Sequence, residues 1–286
     1  MSEIQFNASD GTALGGELHL PAGKGPHPCV VLSHGFSALM SMGLRQYADV
    51  FVEAGMACLV YDHRNYGRSA GEPRHESDPW LQVHDTRDAL TYAASLEAVD
   101  AERLGLWGTS FSGGHALVVS AIDRRVKCVV SQVPLTSGSK TLANWVPEGA
   151  MQKLRDRFEQ DRAARALGES PRMITSSREG DETWEWQKQV DLTGEYANET
   201  TQRSLELLDE YEPGQFARRI APTPLLMILC ANDTQTPVQG QLDTYESALE
   251  PKELLMLDGR HYDAYVALFD QSSTAARDWF VRHLEP

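Results

Sequence analysis

The 286-residue sequence predicts an α/β fold, a mostly parallel sheet with helices on both faces. Three observations carry that prediction. Six short apolar runs rich in Val, Leu and Ile recur with helical patterns between them; two N-terminal strand-like stretches meet around Asp10-Gly11; and the strand signal stops between Pro134 and Pro222. Continuous apolar strands separated by helices read as a parallel sheet buried on both faces.

In chain order, "EIQFNA" and "LGGELHLP" read as a hairpin at one edge. The six apolar runs are "CVVLSH" (29–34), "ACLVYD" (57–62), "RLGLWG" (103–108), "CVVSQV" (128–133), "PLLMILC" (224–230) and "ELLMLDG" (253–259). Helices are expected at 44–54, where Leu44, Tyr47, Ala48 and Phe51 share one face, and at 80–95, introduced by an Asp78 cap and Pro79. Two more are expected at 112–122 and 264–284. The stretch 134–220 holds polar helix-forming runs such as "MQKLRDRFEQDRAARAL" and several aromatics, so it reads as a helical cap inserted into a core made of 1–133 and 221–286.

Composition narrows the function. With 41% hydrophobic and 23% charged residues the chain is an ordinary globular protein, and its net charge of −15 repels polyanions, which argues against nucleic acid and anionic membrane as partners. The N-terminus "MSEIQFNASDG" has neither the basic segment nor the apolar run of a signal peptide, so cytoplasmic residence is expected. Cys29, Cys58, Cys128 and Cys230 lie in or beside four separate apolar runs without metal or redox spacing and read as buried small hydrophobes.

The chemistry centres on "GLWGTSFSGGH" (105–115), where an apolar strand meets two serines among glycines. A nucleophile elbow needs a strand, a sharp turn and a helix, with tiny residues two before and two after the nucleophile because the two backbones nearly touch. Gly108 and Ser112 occupy those places around Ser110. Choosing Ser112 instead would force the strand to continue through the turn-forming Gly-Thr-Ser. A serine hydroxyl becomes a nucleophile at neutral pH only when a histidine takes its proton and a carboxylate orients that histidine. In the order serine, acid, histidine, Asp233 follows the 224–230 strand and His261 follows the 253–259 strand, both at carboxyl ends, on the same sheet edge as Ser110. His34, His84 and His115 stand at the wrong places in that order, and Asp258 and Asp263 read as turn or cap groups. The oxyanion donors expected are the amides of Phe111, the residue after the nucleophile, and Phe36, in the loop after the 29–34 strand.

Five motifs, "SHGF" (33–36), "YDHRNYGRS" (61–69), "GTSFSGGH" (108–115), "ANDTQTP" (231–237) and "GRHYDAY" (259–265), together resemble the α/β-hydrolase superfamily, especially its dienelactone-hydrolase-like branch of small bacterial esterases and fungal polyketide transferases. The resemblance covers 1–133 and 221–286 and leaves the helical stretch outside it. It implies an eight-stranded sheet, no cofactor and no metal, and an acyl-enzyme mechanism with Ser110, Asp233 and His261 as the triad. Ser112 departs from the family's usual glycine, and Asn65 stands where many relatives carry glycine. His63 and Arg64 in the same turn read as structural.

The expected function is hydrolysis of an ester, lactone or thioester of a small to medium, largely apolar molecule, with Trp145, Trp184 and Trp186 of the insertion against the substrate. Acyl transfer and carbon–carbon bond hydrolysis would use the same triad, and a ligand-binding protein without turnover is the reading from another class. The expected partner is a small-molecule substrate, and the assembly considered is a homodimer.

Overall fold

A computed structural model describes residues 1–285. Eight strands form one sheet: β1 (Ser2–Asn7), β2 (Ala13–His19), β3 (His27–Ser33), β4 (Ala57–Tyr61), β5 (Val99–Thr109), β6 (Val126–Gln132), β9 (Leu225–Cys230) and β10 (Lys252–Leu257). Their spatial order is β1-β2-β4-β3-β5-β6-β9-β10. The N-terminal hairpin is antiparallel and sits at the edge, β2 pairs antiparallel with β4, and every later pairing is parallel.

Alternate residues of the central strands feed two cores. Val31, Leu59, Leu106, Val129 and Met227 face α2 (Pro79–Ala94) and α3 (Phe111–Ile122). Their neighbours Val30, Val60, Trp107, Val130 and Ile228 face α1 (Leu44–Glu53) and the C-terminal α9 (Phe269–Leu284). A strand buried on both sides has no polar position to spare, which is why these runs lack alternation in the sequence. Helix α2 begins as the sequence predicts, with the Asp78 carboxylate accepting from the Trp80 and Leu81 amides. The last helix starts later than predicted, at Phe269 rather than 264. Residues His261–Tyr265 form a 3₁₀ turn in which the Asp263 carboxylate accepts from the Arg260 amide, and Val266, at φ −129° and ψ −83°, breaks the path into α9.

The chain enters the sheet's middle at β3, steps outward to β4, and crosses back to β5 on the other side of β3. The carboxyl ends of β3 and β5 therefore diverge into loops on opposite sides, the switch point at which open α/β sheets form a crevice. Between β6 and β9 lie α4 (Gly138–Trp145), α5 (Met151–Ala166), α6 (Glu182–Val190), α7 (Gln202–Asp209), the 3₁₀ segment Pro213–Arg219 and helix-flanking strands β7 (Met173–Ile174) and β8 (Thr200–Thr201). The two short strands pair only with each other, a two-residue ladder too short to leave a pattern in the sequence. Helix α8 (Val238–Ser247) then joins β9 to β10.

Candidate active site

Strand β5 drives straight into Ser110, whose φ of 54° and ψ of −119° are unusual for a residue with a side chain. Such a conformation costs on the order of 1–3 kcal/mol and persists only where its surroundings impose it. Here the Ser110 amide donates to the Gln132 carbonyl at 2.9 Å, and the Ser110 carbonyl accepts from the Leu135 amide at 2.8 Å. Both backbone groups of the strained residue are thus fixed by the neighbouring strand and the segment after it. Glycine is obligatory at 108, because a Cβ there would lie 2.1 Å from the Ser112 carbonyl oxygen.

The Ser110 hydroxyl lies 3.2 Å from His261 Nε2, to which it can donate, and His261 Nδ1 donates to Asp233 Oδ2 at 2.8 Å. The structure therefore brings together three side chains 28 to 151 residues apart in sequence. Asp233 also accepts from the Gln235 amide at 2.8 Å, the Thr236 amide at 3.0 Å and Gln241 Nε2 at 3.0 Å. Burial alone would raise the carboxyl's pKa, but the imidazole beside it and the donors around it hold it below the usual carboxylate range. An ionised Asp233 requires the proton on His261 Nδ1 and leaves Nε2 free as the base facing Ser110.

The two amides expected as oxyanion donors belong to Phe111 and Phe36. Phe111 is the first residue of α3, so its N–H has no partner inside the helix and lies at the positive end of the helix dipole. Phe36 is placed by a chain of contacts that starts at His34. The His63 amide donates to His34 Nε2 at 3.0 Å, so the imidazole proton resides on Nδ1, which donates to the Gly35 carbonyl at 2.9 Å. That carbonyl belongs to the peptide carrying the Phe36 N–H. The loop comes close to Ser110, since a Cβ on Gly35 would lie 3.2 Å from Ser110 Cβ.

Ser112 has a different task. It is wholly buried, its hydroxyl donates to the His34 carbonyl, and it accepts from His63 Nε2 at 2.8 Å. A serine and a histidine in contact are by themselves no active site: this pair is closed to substrate and buttresses the loop of His34. Burial depresses the His63 pKa well below the usual imidazole value, with the neighbouring His34 and His115 adding to the effect. His63 Nδ1 faces no partner among the described residues, which fixes the ring as neutral with its proton on Nε2. The sequence marks Ser112 as unusual but cannot pair it with His63, which arrives from the 61–69 turn 49 residues away. In that turn Asn65 adopts φ 70°, a conformation in which asparagine substitutes well for glycine, and Arg64 is buried against Asp85 and Asp10.

Ser110 and His261 open into a cavity of about 1050 Å³. Phe36, Phe111, Leu142, Trp145 and Trp186 contribute to its wall. Trp184, expected beside them, does not line it. Residues two apart on a helix point in nearly opposite directions, so when Trp186 turns inward to stack on Tyr262 at 4.8 Å, Trp184 turns away, beneath Lys188. The helical segment also grips the loops that carry Asp233 and His261. Asn144 Nδ2 donates to the Thr234 carbonyl at 2.7 Å and Trp145 Nε1 to the Gln235 carbonyl at 2.8 Å, while Thr183 and Tyr262 share a hydroxyl bond of 2.8 Å.

Comparison with known proteins agrees with this architecture. The family model of the X-Pro dipeptidyl-peptidases (S15 family) matches residues 10–263. Thiohydrolase aneE of Aspergillus aculeatus is 32% identical over 279 residues, covering 91% of this chain and 86% of that protein. Acyltransferase drtE of Aspergillus calidoustus is 30% identical, with 91% and 87% covered. The crystal structure of the alpha/beta hydrolase GrgF from Penicillium sp. sh18 superposes with a TM-score of 0.88 at 27% identity, covering 100% of this chain and 99% of that one. The chain belongs to the S15 family and is an enzyme of the α/β-hydrolase superfamily.

Proposed function

We propose that this protein is a serine hydrolase that cleaves a thioester or carboxylic ester through an acyl-enzyme. The observation that carries the reading is the run of contacts from Ser110 through His261 to Asp233 at the wall of a large cavity. As Ser110 Oγ bonds to the substrate carbonyl carbon, its proton passes to His261 Nε2. The carbonyl oxygen takes the negative charge and is held by the Phe36 and Phe111 amides. The C–S or C–O bond then breaks, and the leaving group departs with the proton from His261. Water gives a proton to His261, attacks the acyl carbon and releases the acid, and the proton returns to Ser110.

The relatives support acyl chemistry at sulfur and oxygen, and the cavity argues against a free amino terminus as the recognised group. A substrate ammonium needs a carboxylate, and among the described wall residues the only one is Asp181, whose two oxygens already accept from the Arg178 and Trp184 amides at 2.7 Å. We take residues 134–220 as the cap, because they supply much of the apolar wall over Ser110. The volume lies at the upper end for small-molecule sites, about 300–1000 Å³. It leaves space for an alcohol acceptor beside the acyl group, which keeps acyl transfer as the second reading. Four buried cysteines without a disulfide support the cytoplasm as the working compartment.

The test is pre-steady-state hydrolysis of octanoyl esters and thioesters with and without an added alcohol. A burst of leaving group near one per enzyme, absent in Ser110→Ala, is expected; partition into the new ester would mark a transferase. Hydrolysis that survives in Ser110→Ala contradicts the reading.

A further inference from the structure

The cavity wall runs against the charge of the whole molecule. The chain carries −15, yet the wall holds three cations, Lys153, Arg157 and Arg178, against the single occupied carboxylate of Asp181. Elsewhere in the helical segment Arg162 pairs with Glu206, Arg165 with Asp161, Lys188 with Glu185 and Arg203 with Glu76. The three on the wall form no ion pair among the described residues. On α5 the residues facing the cavity are Lys153, Leu154 and Arg157, preceded by Ala150, the spacing of one helical stripe. Like charges four apart on one face weaken a helix by a few tenths of a kcal/mol. An anion between them turns that repulsion into attraction.

We infer that the substrate carries an anionic group, a carboxylate or phosphate remote from the scissile carbonyl, which Lys153, Arg157 and Arg178 receive at the cavity wall. The inference rests on the acyl-enzyme reading and adds the charge of its substrate. All three side chains are exposed, so each contact is worth only a factor of about two, and the three together about tenfold in kcat/KM. An anion on the acyl chain and one on the leaving group would be received alike, and the assay separates them.

Two substrate pairs are compared at low salt. Mono-p-nitrophenyl suberate against p-nitrophenyl octanoate places a carboxylate on the acyl chain; octanoyl-coenzyme A against S-octanoyl-N-acetylcysteamine places phosphates on the leaving group. The anionic member of at least one pair is expected to be favoured about tenfold in kcat/KM, and the pair that responds names the side. In about 0.5 M salt, where the Debye length is roughly 4 Å, the ratio should fall several-fold. The combined Lys153→Gln, Arg157→Gln and Arg178→Gln variant should bring the ratio close to one. Ratios at or below one in both pairs, or a preference unmoved by both salt and the variant, overturn the inference while leaving the acyl-enzyme standing. If no member of either pair is turned over, the acyl-enzyme reading fails, and the anionic site with it.

Discussion

Helices α3 and α5 both border the cavity, and they are held in opposite ways. Eleven of the twelve residues of α3 are buried, and the helix packs against the sheet, α2 and the 3₁₀ segment Pro213–Arg219. Of the sixteen residues of α5 only Phe158 and Asp161 are buried. The first helix presents Ser110 and the Phe111 amide from a frame in which a misplaced methyl group has nowhere to go; the second presents Lys153 and Arg157 on long exposed stems. Bond-making needs positions fixed to a fraction of an ångström, whereas an acyl chain or a remote charge tolerates a compliant wall. The two regions meet where α4 and α6 touch the residues just after Asp233 and His261, so the compliant part borders these two side chains directly.

The largest expected effects lie on the rigid side. Ser110→Ala and His261→Ala should each lower kcat by roughly 10⁴ to 10⁶, with nearly equal losses, because the members of a triad act as a unit; Asp233→Ala should cost less. Steady-state assays of the three variants check this, and a His261 variant within tenfold of wild type would break the comparison at its root.

Next comes the elbow's packing. Gly108→Ala drives a Cβ into the Ser112 carbonyl and should destabilise the fold by about 3 kcal/mol, whereas Gln152→Ala on exposed α5 should stay within about 0.5 kcal/mol. Urea unfolding of both measures the contrast; equal shifts would mean the two helices are held alike.

A pH dependence sharpens the same point. Burial holds His34, His63 and His115 below the usual imidazole value, His115 at about 3. The unfolded chain binds these protons near pH 6.5 and the folded chain does not. Stability should therefore be intact above that value and decline as pH falls, until the folded protein is protonated as well. The slope is about 1.4 kcal/mol per pH unit for each histidine. Denaturant midpoints between pH 7.5 and 5, whose slope shrinks in His115→Gln, test the sign; a flat profile contradicts it.

The smallest effect concerns the join between the regions. Trp145→Phe keeps the ring but loses the bond to the Gln235 carbonyl, worth about 1 kcal/mol, so kcat should fall by roughly three- to tenfold with little change in melting temperature. An effect on KM alone would mean that the helical segment only lines the cavity.

How much of this was legible in the sequence follows the same division. The strands, the elbow and the order serine, acid, histidine could be read because each depends on local pattern: an apolar run, a glycine two residues before a serine, a polar turn at a strand end. The resemblance to α/β hydrolases rested on those turns. What escaped the sequence depends on tertiary phase. Whether Trp184 or Trp186 faces inward is set by the rotation of α6 against Tyr262, and nothing in its short amphipathic stretch announces that rotation. The Ser112–His63 contact joins two turns whose neighbourhood exists only after β3, β4 and β5 align. The cationic wall was hidden because the net charge of −15 averages over it.

The central claim is that Ser110, and not Ser112, carries a reactive hydroxyl. Treating the protein with a fluorophosphonate and mapping the adduct by peptide mass spectrometry tests it most directly. One adduct per chain is predicted, on Ser110, lost in Ser110→Ala and formed far more slowly in His261→Ala. An adduct on Ser112, or an unmodified Ser110 in folded protein, would contradict the account.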